Sequence, residues 1–131
     1  MPRSILDGFN ALVVDDDRLV MRSMARILRT MGVATVYEAA SLDAAIGTVA
    51  TSPVDVAFID LALGSISGLT VMTALRQTRP ELPMLLVTGG PVPDELPEGV
   101  VVLRKPFTHT ALASAVEEQL ATHSESRRSA G

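Results

Sequence analysis

Val54-Asp55-Val56-Ala57-Phe58-Ile59-Asp60 is a short run of mostly apolar, partly β-branched residues that ends on a carboxylate. Ser52-Pro53 bounds it on one side and the Gly- and Ser-rich stretch 64–68 on the other. This pattern predicts a strand buried on both faces, as strands of a parallel sheet are. A carboxylate at the point where such a strand leaves the sheet lies at the carboxyl edge, where open α/β sheets place their chemistry. Asp60 is therefore the first candidate for a reacting group.

Working outward, the same grammar repeats. Ala11-Leu12-Val13-Val14 is a buried strand that runs into Asp15-Asp16-Asp17. A helix should start there, because Asp is a good N-cap and acidic groups suit the positive end of a helix dipole. Val20, Met24, Ile27 and Met31 recur at helical spacing, Arg18, Arg22, Arg26 and Arg29 take the other side, and Gly32 ends the helix. Thr35–Ala39 is a weaker strand, nearer an edge, and Ser41 caps a helix to about Ala50. After Asp60 come a loop over Leu61–Gly68, a helix from about Leu69 to Thr78, and a strand at Met84–Thr88. Residues 89–99 hold three prolines and three glycines. Each proline inside a helix costs about 3 kcal/mol relative to Ala, so no full helix is expected there. Val100–Leu103 is the fifth strand, and Lys105-Pro106-Phe107 leads to a last helix from about Thr108 to Ala121. The expected division is a lead-in at 1–8, one domain at 9–121 and a disordered tail at 122–131. Strands alternating with helices imply βαβ units and a parallel sheet.

Composition narrows the function classes. The chain has 131 residues, 47% hydrophobic and 20% charged, enough for one folded domain. Its net charge is −4, with no basic block, so direct nucleic-acid binding is not expected. Without cysteine there is neither a disulfide framework nor a thiolate site. No apolar run approaches the roughly 18 residues of a membrane span, and Met1-Pro2-Arg3-Ser4 lacks a signal-peptide core, so a cytoplasmic protein is expected.

In a parallel sheet all carboxyl ends share one edge. Asp15 and Asp16 follow the first strand, Asp60 ends the third, Thr88 ends the fourth and Lys105 follows the fifth. Carboxylates brought together raise one another's pKa values unless a cation joins them, and hard oxygen ligands suit Mg²⁺. A metal with Lys105 would bind a phosphoryl group, and Asp60 could then act as a carboxylate nucleophile.

On Leu12-Val13-Val14-Asp15-Asp16-Asp17, Phe58-Ile59-Asp60-Leu61 with Ser67-Gly68-Leu69, Val87-Thr88 and Lys105-Pro106-Phe107, the chain resembles the receiver domains of two-component response regulators. The resemblance covers about residues 9–121. It implies a flavodoxin-like (CheY-like) doubly wound sheet of five parallel strands in the order 2-1-3-4-5, with the fourth helix here short or absent. It makes Asp60 the phosphoacceptor and gives Mg²⁺ to Asp15, Asp16, Asp60 and the backbone carbonyl of Ala62. It has Thr88 and Lys105 contact the phosphoryl group and makes the Lys105-Pro106 peptide often cis. The implied partners are a sensor histidine kinase or histidine phosphotransfer protein and a downstream protein, with no membrane and no direct DNA contact. The implied protein is a monomer or weak homodimer, and not an enzyme beyond its own phosphorylation and dephosphorylation.

The chain departs from the family pattern at several points. Val102 stands where an aromatic residue is usual, Gly64 and Ser67 replace a Pro and an Asp, and Lys105 follows Thr88 by only 17 positions. Two other readings fit parts of the sequence. One is a receiver-like scaffold that works without phosphorylation. The other is a haloacid-dehalogenase-like phosphatase, with Asp15 as nucleophile and Asp17 as acid/base.

Overall fold

The computed structural model describes residues 4–130, with side chains to Thr122. Five parallel strands form the main sheet: β1 (Asn10–Val14), β2 (Thr35–Ala39), β3 (Val56–Asp60), β6 (Met84–Thr88) and β7 (Val101–Arg104). They lie in the order β2-β1-β3-β6-β7. Counting only these five along the chain, the order is 2-1-3-4-5, as the resemblance implies. β4 (Ala62–Leu63) and β5 (Ile66–Ser67) pair antiparallel in a separate small hairpin where the sequence suggests only a loop. Gly64 makes that turn possible: its φ of +69° is open to glycine and closed to the proline usual in the family.

Among the described residues four helices accompany the strands: α1 (Arg18–Thr30), α2 (Leu42–Thr51), α3 (Gly68–Thr78) and α4 (His109–Ala130). Asp17 caps α1, its Oδ1 accepting from the N–H groups of Leu19 and Val20 at 2.9 and 3.3 Å. Ser41 and Ser67 cap α2 and α3 in the same way. The buried stripe of α1 is Met21, Met24, Ala25 and Leu28, rotated slightly from the one read in the sequence, and Val20 and Ile27 are half-buried beside it. α4 continues past Ala121, because neither Pro nor Gly interrupts it before Gly131. The side chains of the stretch assigned to a tail, from 123 on, lie outside the described residues.

The core has a layer on each face of the sheet. One joins Val13, Phe58, Leu85 and Leu103 to Met24 and Leu28 of α1 and Leu112 and Val116 of α4. The other joins Leu12, Ile59 and Leu86 to Val49 of α2 and Met72 and Leu75 of α3. Leu6 is fully buried in the first layer, so the lead-in packs against the domain. Residues 89–99 form no helix. Leu96 of that segment and Val102 are half-buried against the second layer.

Candidate functional site

Four strand ends converge, tied together by three backbone hydrogen bonds. Asp15 N–H donates to Ala39 O at 3.2 Å, Leu61 N–H to Val87 O at 2.9 Å, and Lys105 N–H to Thr88 O at 2.8 Å. These bonds fix the backbone under Asp15, Asp60, Thr88 and Lys105, so their side chains leave the sheet edge from a rigid frame.

Asp15 is buried, Asp60 half-buried and Asp16 exposed, and each brings a carboxylate oxygen within 4.8 Å of the others. Lys105 Nζ stands between two of them, 3.6 Å from Asp15 Oδ2 and 3.7 Å from Asp60 Oδ2. These are ion-pair distances, longer than a formed hydrogen bond. Three carboxylates against one ammonium leave the cluster net negative. Burial raises the Asp15 pKa above its ordinary value, helped by the Asp60 charge. The Asp17 amide, which donates to Asp15 Oδ1 at 2.9 Å, and the Lys105 ammonium pull it down less. Beside the site lies a cavity of about 250 Å³, lined by Val20, Met24, Ile27, Phe58 and Phe107 together with the site's own side chains. Three hard oxygen donors with excess negative charge are the donor set a divalent Mg²⁺ ion takes.

Two glycines shape the site, and the sequence reading passed over what they do. A Cβ on Gly64 would stand 3.1 Å from Asp16 Oδ2, so the small hairpin lies directly against the acidic pair. A Cβ on Gly68 would collide with the carbonyl oxygen of Asp60. The first turn of α3 is thereby pressed onto the backbone of the candidate nucleophile, and Gly68 N–H donates to Leu61 O at 2.7 Å. The signal in the sequence was a glycine directly after a capping serine.

Ala62 opens the hairpin, and its N–H donates to Asp60 Oδ1 at 3.2 Å, which orients that carboxylate. Thr88 is buried at the end of β6, and its Oγ1 accepts from the Gly90 N–H at 3.1 Å. The Lys105-Pro106 peptide is cis, as the resemblance implies. Asp17 Oδ1 is engaged by the α1 amides of Leu19 and Val20.

Comparison with known proteins agrees with this geometry. The family described as response regulator receiver domain matches residues 11–117. The chain belongs to this family. This receiver domain is 26% identical over 120 residues to the transcriptional regulatory protein YvrH of Bacillus subtilis, covering 88% of this chain and 50% of that protein. It is 41% identical over 78 residues to the acid tolerance regulatory protein ActR of Sinorhizobium medicae, covering 60% of this chain and 40% of that one. The chain thus spans about half the length of these relatives or less. Among solved structures, a CheY-like receiver domain protein from Methanospirillum hungatei superposes with a TM-score of 0.73 at 21% identity, over 92% of this receiver and 99% of that chain. That likeness extends the agreement to the fold. Among the described residues no helix is long and apolar enough to cross a membrane.

Proposed function

We propose that this receiver domain is a phosphoacceptor that takes a phosphoryl group onto Asp60. The observation that carries the reading is Lys105 Nζ held between Asp15 and Asp60 at 3.6 and 3.7 Å, a cation set where phosphoryl oxygens would arrive. An Asp60 carboxylate oxygen attacks phosphorus, the bond to the donor breaks, and an acyl phosphate forms. Asp15, Asp16, Asp60 and the Ala62 carbonyl would hold Mg²⁺, which when bound neutralises charge on the phosphoryl oxygens. Lys105 pairs with a phosphoryl oxygen, and burial of Asp15 keeps competing water from one side of the site.

Thr88 supplies the route out. A hydroxyl has one donor and two acceptor lone pairs, so Thr88 can donate to the phosphoryl group while still accepting from Gly90. Drawing Thr88 inward then pulls Gly90 and the helix-free segment behind it. Val102, short and stiff at χ1, cannot play the part of a swinging aromatic ring. The output therefore lies in residues 89–99 together with the adjoining strand and α4. The donor is a phosphohistidine on a sensor kinase or phosphotransfer protein, the reader is a downstream protein, and the setting is the cytoplasm. Phosphorylation with a small acyl phosphate and Mg²⁺, followed by intact mass, tests the reading. A gain of one phosphoryl group by wild type and none by Asp60→Asn is expected; equal uptake by both would refute it.

A further inference from the structure

α1 carries four arginines, Arg18, Arg22, Arg26 and Arg29, and no acidic residue. All four are exposed, and among the described residues none makes an ion pair. Two adjoining grooves, of about 480 and 250 Å³, run between this arginine row and β2. Arg22 and Glu38 line both grooves, Arg26 and Arg29 extend the trough at one end, and Arg18 and Ala40 close the other. Glu38 is the one acid in it.

The floor of the trough is an open sheet edge, since β2 is the terminal strand of the sheet. Ala39 O faces β1, where it accepts from Asp15 N–H. Alternation along a parallel strand then turns the N–H and C=O of Val36 and Glu38 outward, and no hydrogen bond engages either amide among the described residues. An unpaired edge of this kind is a template for another strand.

We propose that this trough receives an extended acidic segment of a partner protein, which adds to the sheet beside β2 and turns acidic side chains toward the α1 arginines. The spacings agree. Residues four apart on a helix are about 6 Å apart along its axis. Alternate residues on a strand, which share one face, are about 6.6–6.8 Å apart. A peptide with Asp or Glu at every second position thus meets Arg18, Arg22 and Arg26 in turn, while its backbone pairs with Val36 and Glu38. Charge favours a short segment over a long polyanion. The chain as a whole is −4 although α1 is wholly basic, so the rest of the chain is net acidic and disfavours a duplex or an anionic membrane larger than the roughly 16 Å row. Nothing in the trough draws on the phosphoacceptor site, and the surface works whether or not Asp60 is phosphorylated.

The test uses the full chain and synthetic octapeptides alternating Glu with Thr. Binding is followed by fluorescence anisotropy, and amide exchange of Val36 and Glu38 by NMR. The acidic peptide is expected to bind and to slow exchange at both amides. A version N-methylated at every residue should not bind, because an added strand needs its amides to pair with β2. The double variant Arg22→Glu/Arg26→Glu should bind about tenfold more weakly. It should instead accept the octapeptide alternating Lys with Thr, which shows that the variant is folded and its surface intact. Arg22→Lys/Arg26→Lys should retain the acidic peptide. The proposal is overturned if exchange at Val36 and Glu38 is unchanged, or if the fully N-methylated peptide binds as tightly as the unmethylated one. It is also overturned if duplex DNA or phosphatidylglycerol vesicles engage the arginine row more tightly than the peptide at the same ionic strength.

Discussion

Replacing Gly68 with Ala asks whether α3 is truly pressed onto the nucleophile's backbone. The added Cβ would collide with the Asp60 carbonyl oxygen and lie 2.9 Å from both the Asp60 carbonyl carbon and Leu61 Cα. Carbon atoms prefer separations of about 3.5–4.0 Å, and every obstructing atom here belongs to the backbone, so the first turn of α3 must withdraw by roughly 1 Å. That withdrawal stretches the 2.7 Å bond from Gly68 N–H to Leu61 O beyond hydrogen-bond range. The lost bond costs about 1 kcal/mol. Overpacking costs about 1–3 kcal/mol, and the better helix propensity of Ala returns less than about 1 kcal/mol. The net loss is about 1–4 kcal/mol. Gly47 is the control. It is exposed inside α2, and a Cβ there meets nothing within 4 Å, so Gly47→Ala should stabilise by about 0.5–1 kcal/mol. In urea, with a slope of about 1–3 kcal/mol per molar, Gly68→Ala should lower the midpoint by roughly 1 M and Gly47→Ala should raise it slightly. Phosphoryl uptake should fall only in Gly68→Ala. If the two substitutions shift the midpoint in the same direction, or Gly68→Ala lies within about 0.5 kcal/mol of wild type, the close approach does not shape the site.

Asp15→Asn should melt above wild type at pH 7 without divalent cation. The raised pKa of Asp15 means its ionisation costs stability once pH climbs past the ordinary value of 3.8, so the advantage should shrink as pH falls toward about 4 and be absent below it. Thermal melts across pH check the sign, and added Mg²⁺ should stabilise wild type but not the variant. Gln119 is buried on α4, with its side-chain amide 3.0 Å from the carbonyl oxygens of Gly99 and Met84 and donating to both. Gln119→Leu strands both acceptors and should cost about 2 kcal/mol by urea titration, against near neutrality if the bonds are incidental. Amide exchange with and without a phosphoryl mimic should change across 89–99; a flat profile there with changes elsewhere would make that segment a passive connector.

The sequence by itself determined the alternation of strand and helix, the buried runs, and the placement of Asp15, Asp60, Thr88 and Lys105 at strand ends. Those features are local: β-branched runs, capping residues and helix breakers act within a few positions, and a parallel sheet then sends every strand end to one edge. The prolines and glycines of 89–99 likewise excluded a helix without reference to the rest of the chain. Tertiary structure decided what depends on distant backbones meeting. Gly68 appears in the sequence as the end of a loop, and only the approach of α3 to β3 makes its missing Cβ a condition for Asp60. Leu6, outside the periodic pattern, became core because the lead-in folds across α1 and β1. Gln119 carries no signal of burial in the sequence; it is buried where Gly99 and Met84 present carbonyl oxygens to it. The sequence places the α1 arginines only on the side of the helix away from its apolar stripe; their place above an unpaired edge follows from β2 being last in the sheet, and strand order is a property of the assembled fold.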